Sequence, residues 1–465
     1  MPPVAVPPPV TTNPIRKLAG DLRRERAAAI PFPPGDTRFS MRRTQRFSDD
    51  PLSLLLEAYE RYGPVFTLRI FHHNVIFMLG PEANHYMTVA NASNFSWREG
   101  HMGDLMPFLG DGLLTIDGEF HRRSRLAMLP MFHKERIAAA RRVMEDEVDA
   151  ALASWHDGMR LDLYRWTREL ALRIAMRALF GLDPDGARKR IDAATEFEHA
   201  LGFWAKDYIL QILRGPGTPY ARLMKARRRL DRIVYAEIER RRATGERGED
   251  LLSLLLDAQD EDGLRLSREH VRDEVMTLLF AGHDTTTSTV AFLFHELSRN
   301  PRLVEDADFD LDLAIDETLR MYPPAWIGPR RSIEAFEFAG VKIPGGVPVE
   351  YCSWASHHLP EVWGDPQVFR PDRFAPGNRE QLPKGAYVPF GGGSRTCIGM
   401  RFGLAEVSVI ASRILDRYRL RVDAGYRLRV RQMPTIGPRD GLPVTVQSAA
   451  TSERPPRRAA AVVSG

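Results

Sequence analysis

The sharpest chemistry in this sequence surrounds Cys397, in the run Phe390-Gly391-Gly392-Gly393-Ser394-Arg395-Thr396-Cys397-Ile398-Gly399. Three consecutive glycines remove every β-carbon from one loop, so a flat, bulky group can approach its backbone closely. Arg395 supplies a fixed charge suited to carboxylates. A helix is expected from about Ile398, and its unpaired N–H groups and dipole would favour thiolate over thiol at Cys397. Such a thiolate is a soft ligand for a metal, including an iron that takes one axial cysteine. A structural cysteine beside a glycine-rich turn has the same composition, so the surroundings must choose.

Three further groups bear on that choice. Ala281-Gly282-His283-Asp284-Thr285-Thr286 is a poor sequence for helix stability, since Gly282 costs about 1 kcal/mol against alanine. A buried Asp284 needs partners, and Thr285 can bond the carbonyl of Ala281 and bend the helix. The small residues 281 and 282 let another group lie against the backbone. His121 and Arg125 are four apart and share a helical face, either a solvated basic face or a clamp for carboxylates. Glu317 and Arg320, three apart, also share a face, and an exposed pair of this kind contributes little.

The elements that must position these groups follow from pattern and punctuation. Ser267 is an N-cap for a helix reaching Asn300, where Pro301 stops it; at 1.5 Å per residue this spans about 50 Å. A helix starting near His121 is expected to run towards Trp155. Pro51–Tyr62 reads as a helix ended by Gly63-Pro64, and residues 65–68 and 75–78 as strands joined by a turn around His72-His73-Asn74. His72 and His73 are read as turn residues rather than ligands. Residues 94–114 are irregular but rich in large apolar side chains (Phe95, Trp97, Met102, Leu105, Phe108), either a cover over the core or a cavity wall. Gly215–Pro219 breaks two charged helices, and motion there cannot be read from sequence. Prolines crowd the first 14 residues, so a disordered lead is expected over 1–30, a globular unit over 31–448 and a disordered tail over 449–465.

The run from Phe390 to Gly399 resembles the haem-binding signature of cytochromes P450, Phe-x-x-Gly-x-Arg-x-Cys-x-Gly, at all five specified positions. Ala281–Thr286 resembles the family's oxygen-binding motif, and Glu317-Thr318-Leu319-Arg320 its Glu-x-x-Arg, with Arg373 as the usual third partner. The resemblance covers about Phe32 to Val446. It implies the mainly helical P450 fold with a small β-rich subdomain, an α+β class. It implies haem b, iron protoporphyrin IX, with Cys397 as metal ligand. Phe390, Gly399, Ala281 and Gly282 would then border the haem, and His121, Arg125, Arg395 and either Arg330 or Arg331, with spacing favouring Arg330, would hold its propionates. Asp284 would be the acid and Thr285 the alcohol of proton delivery, Thr285 also holding water and dioxygen. Glu317, Arg320 and Arg373 would brace the cysteine loop. Trp97, Met102, Phe108, Leu278, Ala325, Trp326 and Ile327 would line the substrate pocket. One departure is His357-His358-Leu359-Pro360, where many relatives read His-Arg-Asp-Pro.

The implied activity is that of a haem-thiolate monooxygenase hydroxylating or epoxidising a hydrophobic molecule. The intact Asp284-Thr285 pair argues against a peroxygenase or isomerase, and a gas sensor would leave both that pair and the apolar cover without a use. No nicotinamide or flavin fingerprint occurs in the right setting, so electrons are expected from a ferredoxin and its reductase, docking on basic residues with Arg122 and Arg401 as guesses. Composition is permissive: 465 residues, 43% hydrophobic and 27% charged. The 65 basic residues nearly balance the 61 acidic ones, which does not favour nucleic-acid binding. Two cysteines give no disulfide framework, Cys352 reading as an inert core thiol. Without a long apolar run or a signal-peptide pattern, a cytoplasmic monomer with no membrane span is expected.

Overall fold

The computed structural model describes residues 10–181, 196–197, 200–203, 208–259, 265–433 and 435–449. The expected loose ends at 1–9 and 450–465 lie outside the described residues.

The long helix forms as its punctuation demands, Arg268–Arg299, with Ser267 Oγ accepting the His270 amide at 3.0 Å. Its unfavourable centre is tolerated because threonine hydroxyls donate back along the helix: Thr285 to Ala281 O at 2.8 Å, Thr287 to His283 O at 2.8 Å and Thr289 to Thr285 O at 2.9 Å. Nearly every residue from Val271 to Leu297 is buried, except a strip at 281, 282 and 285. Around this axis pack Leu163–Ile174, Pro219–Thr244, Leu311–Met321 and Met400–Arg417. The main apolar core lies between these helices and includes Phe108, Met144, Phe180, Leu293 and Ile410.

The β-rich part is a six-stranded sheet in the order Gly35–Asp36, Val65–Ile70, His73–Met78, Pro348–Tyr351, Gly328–Ser332, Phe95–Ser96. Smaller sheets lie towards the C-terminus. The architecture is mainly α with a small β-rich subdomain, as expected.

Several expectations are corrected. The lead is helical over Pro14–Ala27, capped by Asn13, whose Oδ1 accepts from the Ile15 and Arg16 amides. Pro14 stands at the first helical position, where proline is tolerated, and the buried Asp21 pins the helix by accepting from Arg331 at 2.6 Å. The helix begun near His121 is two helices, Gly118–Met128 and Lys134–Leu152, because Pro130 interrupts the run. His73 and Asn74 sit inside the second strand rather than in the turn, since pairing extends to Ile70↔His73. The C-terminal helix starts at Met400, not Ile398.

Candidate active site

One connected cavity of about 2740 Å³ is bordered by Cys397, Phe390, Gly399, the strip Ala281, Gly282 and Thr285, and by His121, Arg125, Arg330 and Arg395. A single small-molecule site occupies roughly 300–1,000 Å³, so this space has room for a large cofactor and a second molecule.

Cys397 sits on the wall of the cavity, its amide donating to Phe390 O at 2.9 Å. Burial pushes its thiol up, while the Gly399 amide and the Arg125 charge pull the other way. Cys397 stands three residues before the helix, which begins at Met400. The glycine cluster has a different cause from the one expected. Gly391 and Gly393 take φ of 68° and 62°, and a β-carbon on Gly393 would lie 2.2 Å from the Thr88 carbonyl. Close packing on the 86–90 segment demands glycine there. Gly282 is different: a β-carbon on it would meet nothing within 4 Å, so that position opens on the cavity.

Cations outnumber carboxylates on the cavity wall. Arg395 donates to Asp117 Oδ1 at 2.8 Å and to Ile116 O at 2.7 Å. Arg330 is buried, donates to Pro329 O at 2.9 Å and stacks 3.6 Å from the Trp97 ring centroid, with no carboxylate within ion-pair distance among the described residues. Arg395 lies 5.0 Å from the same ring. Burial, then Arg395 and Arg125, push His121 down to about 3, so its ring is neutral near pH 7. Arg331 points elsewhere, to Asp21, Glu99 O and Gly346 O. A buried arginine facing a cavity without its own carboxylate suits an anionic ligand bearing carboxylates. Together with a thiol on the cavity wall, the donor set fits a haem.

Asp284 is fully buried on the long helix. Arg168 approaches Oδ1 at 3.1 Å, Arg431 lies 3.5 Å from Oδ2, and Thr435 Oγ1 donates to Oδ2 at 2.8 Å. Burial would raise its carboxyl, but the two guanidiniums outweigh it and the net direction is down. His283, to which no role was assigned, donates from Nε2 to Arg168 O, 2.9 Å away.

Glu317, Arg320 and Arg373 do meet, and they are buried rather than exposed. Arg320 grips Glu317 through two 2.8 Å bonds, and Arg373 Nε lies 3.3 Å from Glu317 Oε1. His357 Nδ1 lies 3.1 Å from Arg320 O, and its Nε2 accepts the Val388 amide at 3.0 Å, two residues before Phe390. The departure, at His358-Leu359, thus lies just after His357, the residue that links this cluster to the cysteine loop.

Met102, Leu278, Ala325, Trp326 and Ile327 line the cavity as expected. Phe108 does not; it turns into the core against Phe197 because its short helix is buried on that side. Trp97 borders the cavity between two arginines rather than among apolar residues. Arg122, a guessed docking residue, is engaged by Glu119. Sequence reasoning missed Arg168, Arg431, Thr435 and Glu406. Glu406 borders the cavity, accepts from Thr286 Oγ1 at 2.9 Å, and is pushed by burial up to about 8. Its signal was an acid set between apolar neighbours, Leu404-Ala405 and Val407, in the helix after Cys397.

The fold and the site define a haem-thiolate class of oxidoreductase, and comparison with known proteins agrees. The model of the family Cytochrome P450 matches residues 33–308 and 311–436, so the chain belongs to that family and is a P450 monooxygenase. It is 35% identical over 350 residues to cyclooctat-9-en-7-ol 5-monooxygenase of Streptomyces melanosporofaciens, covering 69% of this chain and 75% of that one. It is 31% identical over 350 residues to pentalenene oxygenase of Streptomyces avermitilis, covering 70% and 78%. Among solved structures it is similar to the retinoic acid bound cyanobacterial CYP120A1, with a TM-score of 0.79, 27% identity and coverage of 90% and 100%. Membership implies a haem cofactor, an external redox partner and a hydrophobic substrate. Among the described residues no helix is long and apolar enough to cross a membrane.

Proposed function

We propose that this protein binds haem b through Cys397 and inserts one oxygen atom of O2 into a polycyclic, terpenoid-like hydrocarbon skeleton. The observation that carries this reading is the convergence of the Cys397 thiol, the Ala281–Thr285 strip and the arginine-rich wall on one cavity. The balance is substrate C–H, O2, two electrons and two protons giving C–OH and water. Bound haem supplies the activation of dioxygen, and its cysteine ligand favours O–O cleavage.

Cys397 would hold the haem iron, and Arg330, Arg395, Arg125 and His121 would hold the propionates. With Cys352 buried in the core, Cys397 is the one cysteine on the cavity, which supports non-covalent haem b. Asp284, kept ionised by Arg168 and Arg431, accepts a proton from the outer side and passes it towards Thr285. Thr285 Oγ1 donates to Ala281 O, which leaves its lone pairs free to accept from a water in the cavity. Glu317, Arg320 and Arg373 keep the cysteine loop in place. Met102, Leu278, Ala325, Trp326 and Ile327 present an apolar wall that excludes water from the substrate. The names of the relatives, which carry cyclooctat-9-en-7-ol and pentalenene, support a substrate of that type. Electrons come from a ferredoxin and its reductase, and the protein works as a cytoplasmic monomer.

The test is turnover of such a hydrocarbon with NADPH, O2, ferredoxin and its reductase, with one oxygen from labelled O2 expected in the product. Haem that reduces, binds O2 and never yields product would overturn the monooxygenase reading. The reduced carbonyl adduct should show thiolate-type absorption that Cys397→Ser abolishes; its persistence would refute the ligand assignment.

A further inference from the structure

His72 and His73 do more than turn the chain. His73 Nδ1 lies 3.0 Å from His72 Nε2, which in turn lies 3.7 Å from Asp21 Oδ2 on the N-terminal helix. One donor atom from each of the three residues falls within 4.8 Å of the others. Two nitrogens bound to one tetrahedral metal at 2.0–2.1 Å stand about 3.3 Å apart, so these separations are those of a ligand set. We infer that Asp21, His72 and His73 form a binding site for a divalent transition metal of zinc type, tying the helix Pro14–Ala27 to the turn between Val65–Ile70 and His73–Met78.

The donor chemistry supports this site. Imidazole and carboxylate together suit zinc better than calcium or magnesium. Asp21 and His73 are buried, and His72 is half-buried on the cavity side, which leaves an entry path. Asp21 Oδ1 is taken by Arg331 at 2.6 Å, which orients the carboxylate and leaves Oδ2 towards the histidines. His73 Nδ1 faces His72 Nε2 across 3.0 Å. The Nε2 of His73 is buried with no hydrogen-bond partner. Pairing of this ring is thus confined to Nδ1, the atom turned towards His72. The ring of His101 stands edge-on 5.3 Å from that of His73, and its Nδ1 lies 2.9 Å from Glu350 Oε1. The cations nearby are already engaged, Lys17 by Asp104 at 2.5 Å and Arg69 by Glu25 at 2.7 Å. The three residues border the same connected cavity, but none of them is among those assigned to the haem or to proton delivery.

The holoenzyme, stripped with EDTA and desalted, is titrated with Zn2+ against a chromophoric chelator, and zinc is counted against haem iron. One zinc per chain at micromolar free metal or below is expected. His72→Ala and Asp21→Asn should each weaken binding at least tenfold while leaving the reduced carbonyl spectrum unchanged. Zinc-edge X-ray absorption should show imidazole scattering and no sulfur. Failure to retain zinc at micromolar free metal would overturn the inference. So would wild-type affinity in His72→Ala, or a first shell without imidazole. Should Asp21→Asn not fold, His72→Ala and the absorption spectrum decide.

Discussion

Asp284 is ionised where no water reaches it, and that state is maintained by Arg168 and Arg431 rather than by solvent. Asp284→Asn keeps the shape and the Thr435 contact but cannot carry a proton. Its kcat is expected to fall on the order of 10²-fold or more with the substrate-binding spectrum unchanged, as stopped-flow and steady-state turnover would show. Glu406 poses the opposite case. Its carboxyl is raised from 4.5 to about 8, so the folded state holds a proton that the unfolded chain releases. Stability from this group is therefore full below about 4.5 and lost as pH rises through about 8. Glu406→Gln should flatten that profile and raise stability above pH 8 by on the order of a few kcal/mol, read from melting temperature against pH for both proteins. Asp284 was legible because its neighbours along the chain form a compact pattern. Glu406, Arg168 and Arg431 were not, because each meets its partner only after more than a hundred intervening residues.

Elements were legible where punctuation and periodicity agree, as in Ser267 before the long helix and Gly63-Pro64 after Pro51–Tyr62. They were misread where one proline outweighs helical periodicity, at Pro130, or where a proline merely opens a helix, at Pro14. The glycine loop shows a subtler limit: sequence signals that no side chain is tolerated, not what would collide with one. Two substitutions separate the causes. Gly393→Ala meets the Thr88 carbonyl at 2.2 Å in a left-handed backbone, and should cost about 3 kcal/mol or more together with haem retention. Gly282→Ala meets nothing within 4 Å and should gain on the order of 1 kcal/mol in apoprotein stability, while weakening the binding of ligands that lie against the helix. Chemical denaturation and haem titration of both variants check the contrast.

At the scale of the whole molecule, Glu317, Arg320 and His357 join the helix Leu311–Met321 to the cysteine loop, so the loop's position is set from outside itself. Removing one partner leaves a buried charge. Arg320→Ala should destabilise by about 3–5 kcal/mol and lower haem occupancy, measured by urea unfolding and the ratio of haem to protein absorbance. The overall family fold was legible from motif order, but the burial that turns Glu317–Arg320 from a weak surface pair into a brace was not.

Asp21 and Arg331 are separated by 310 positions. At roughly 5–20 residues per second of synthesis, the N-terminal helix waits about 15–60 s for the side chain that anchors it. Until then the helix is held only by contacts to the nearby hairpin, such as Arg69 to Glu25 at 2.7 Å, while its buried Asp21 lacks its guanidinium. A tag or chaperone bound near this helix therefore has a long window in which to compete with its closure.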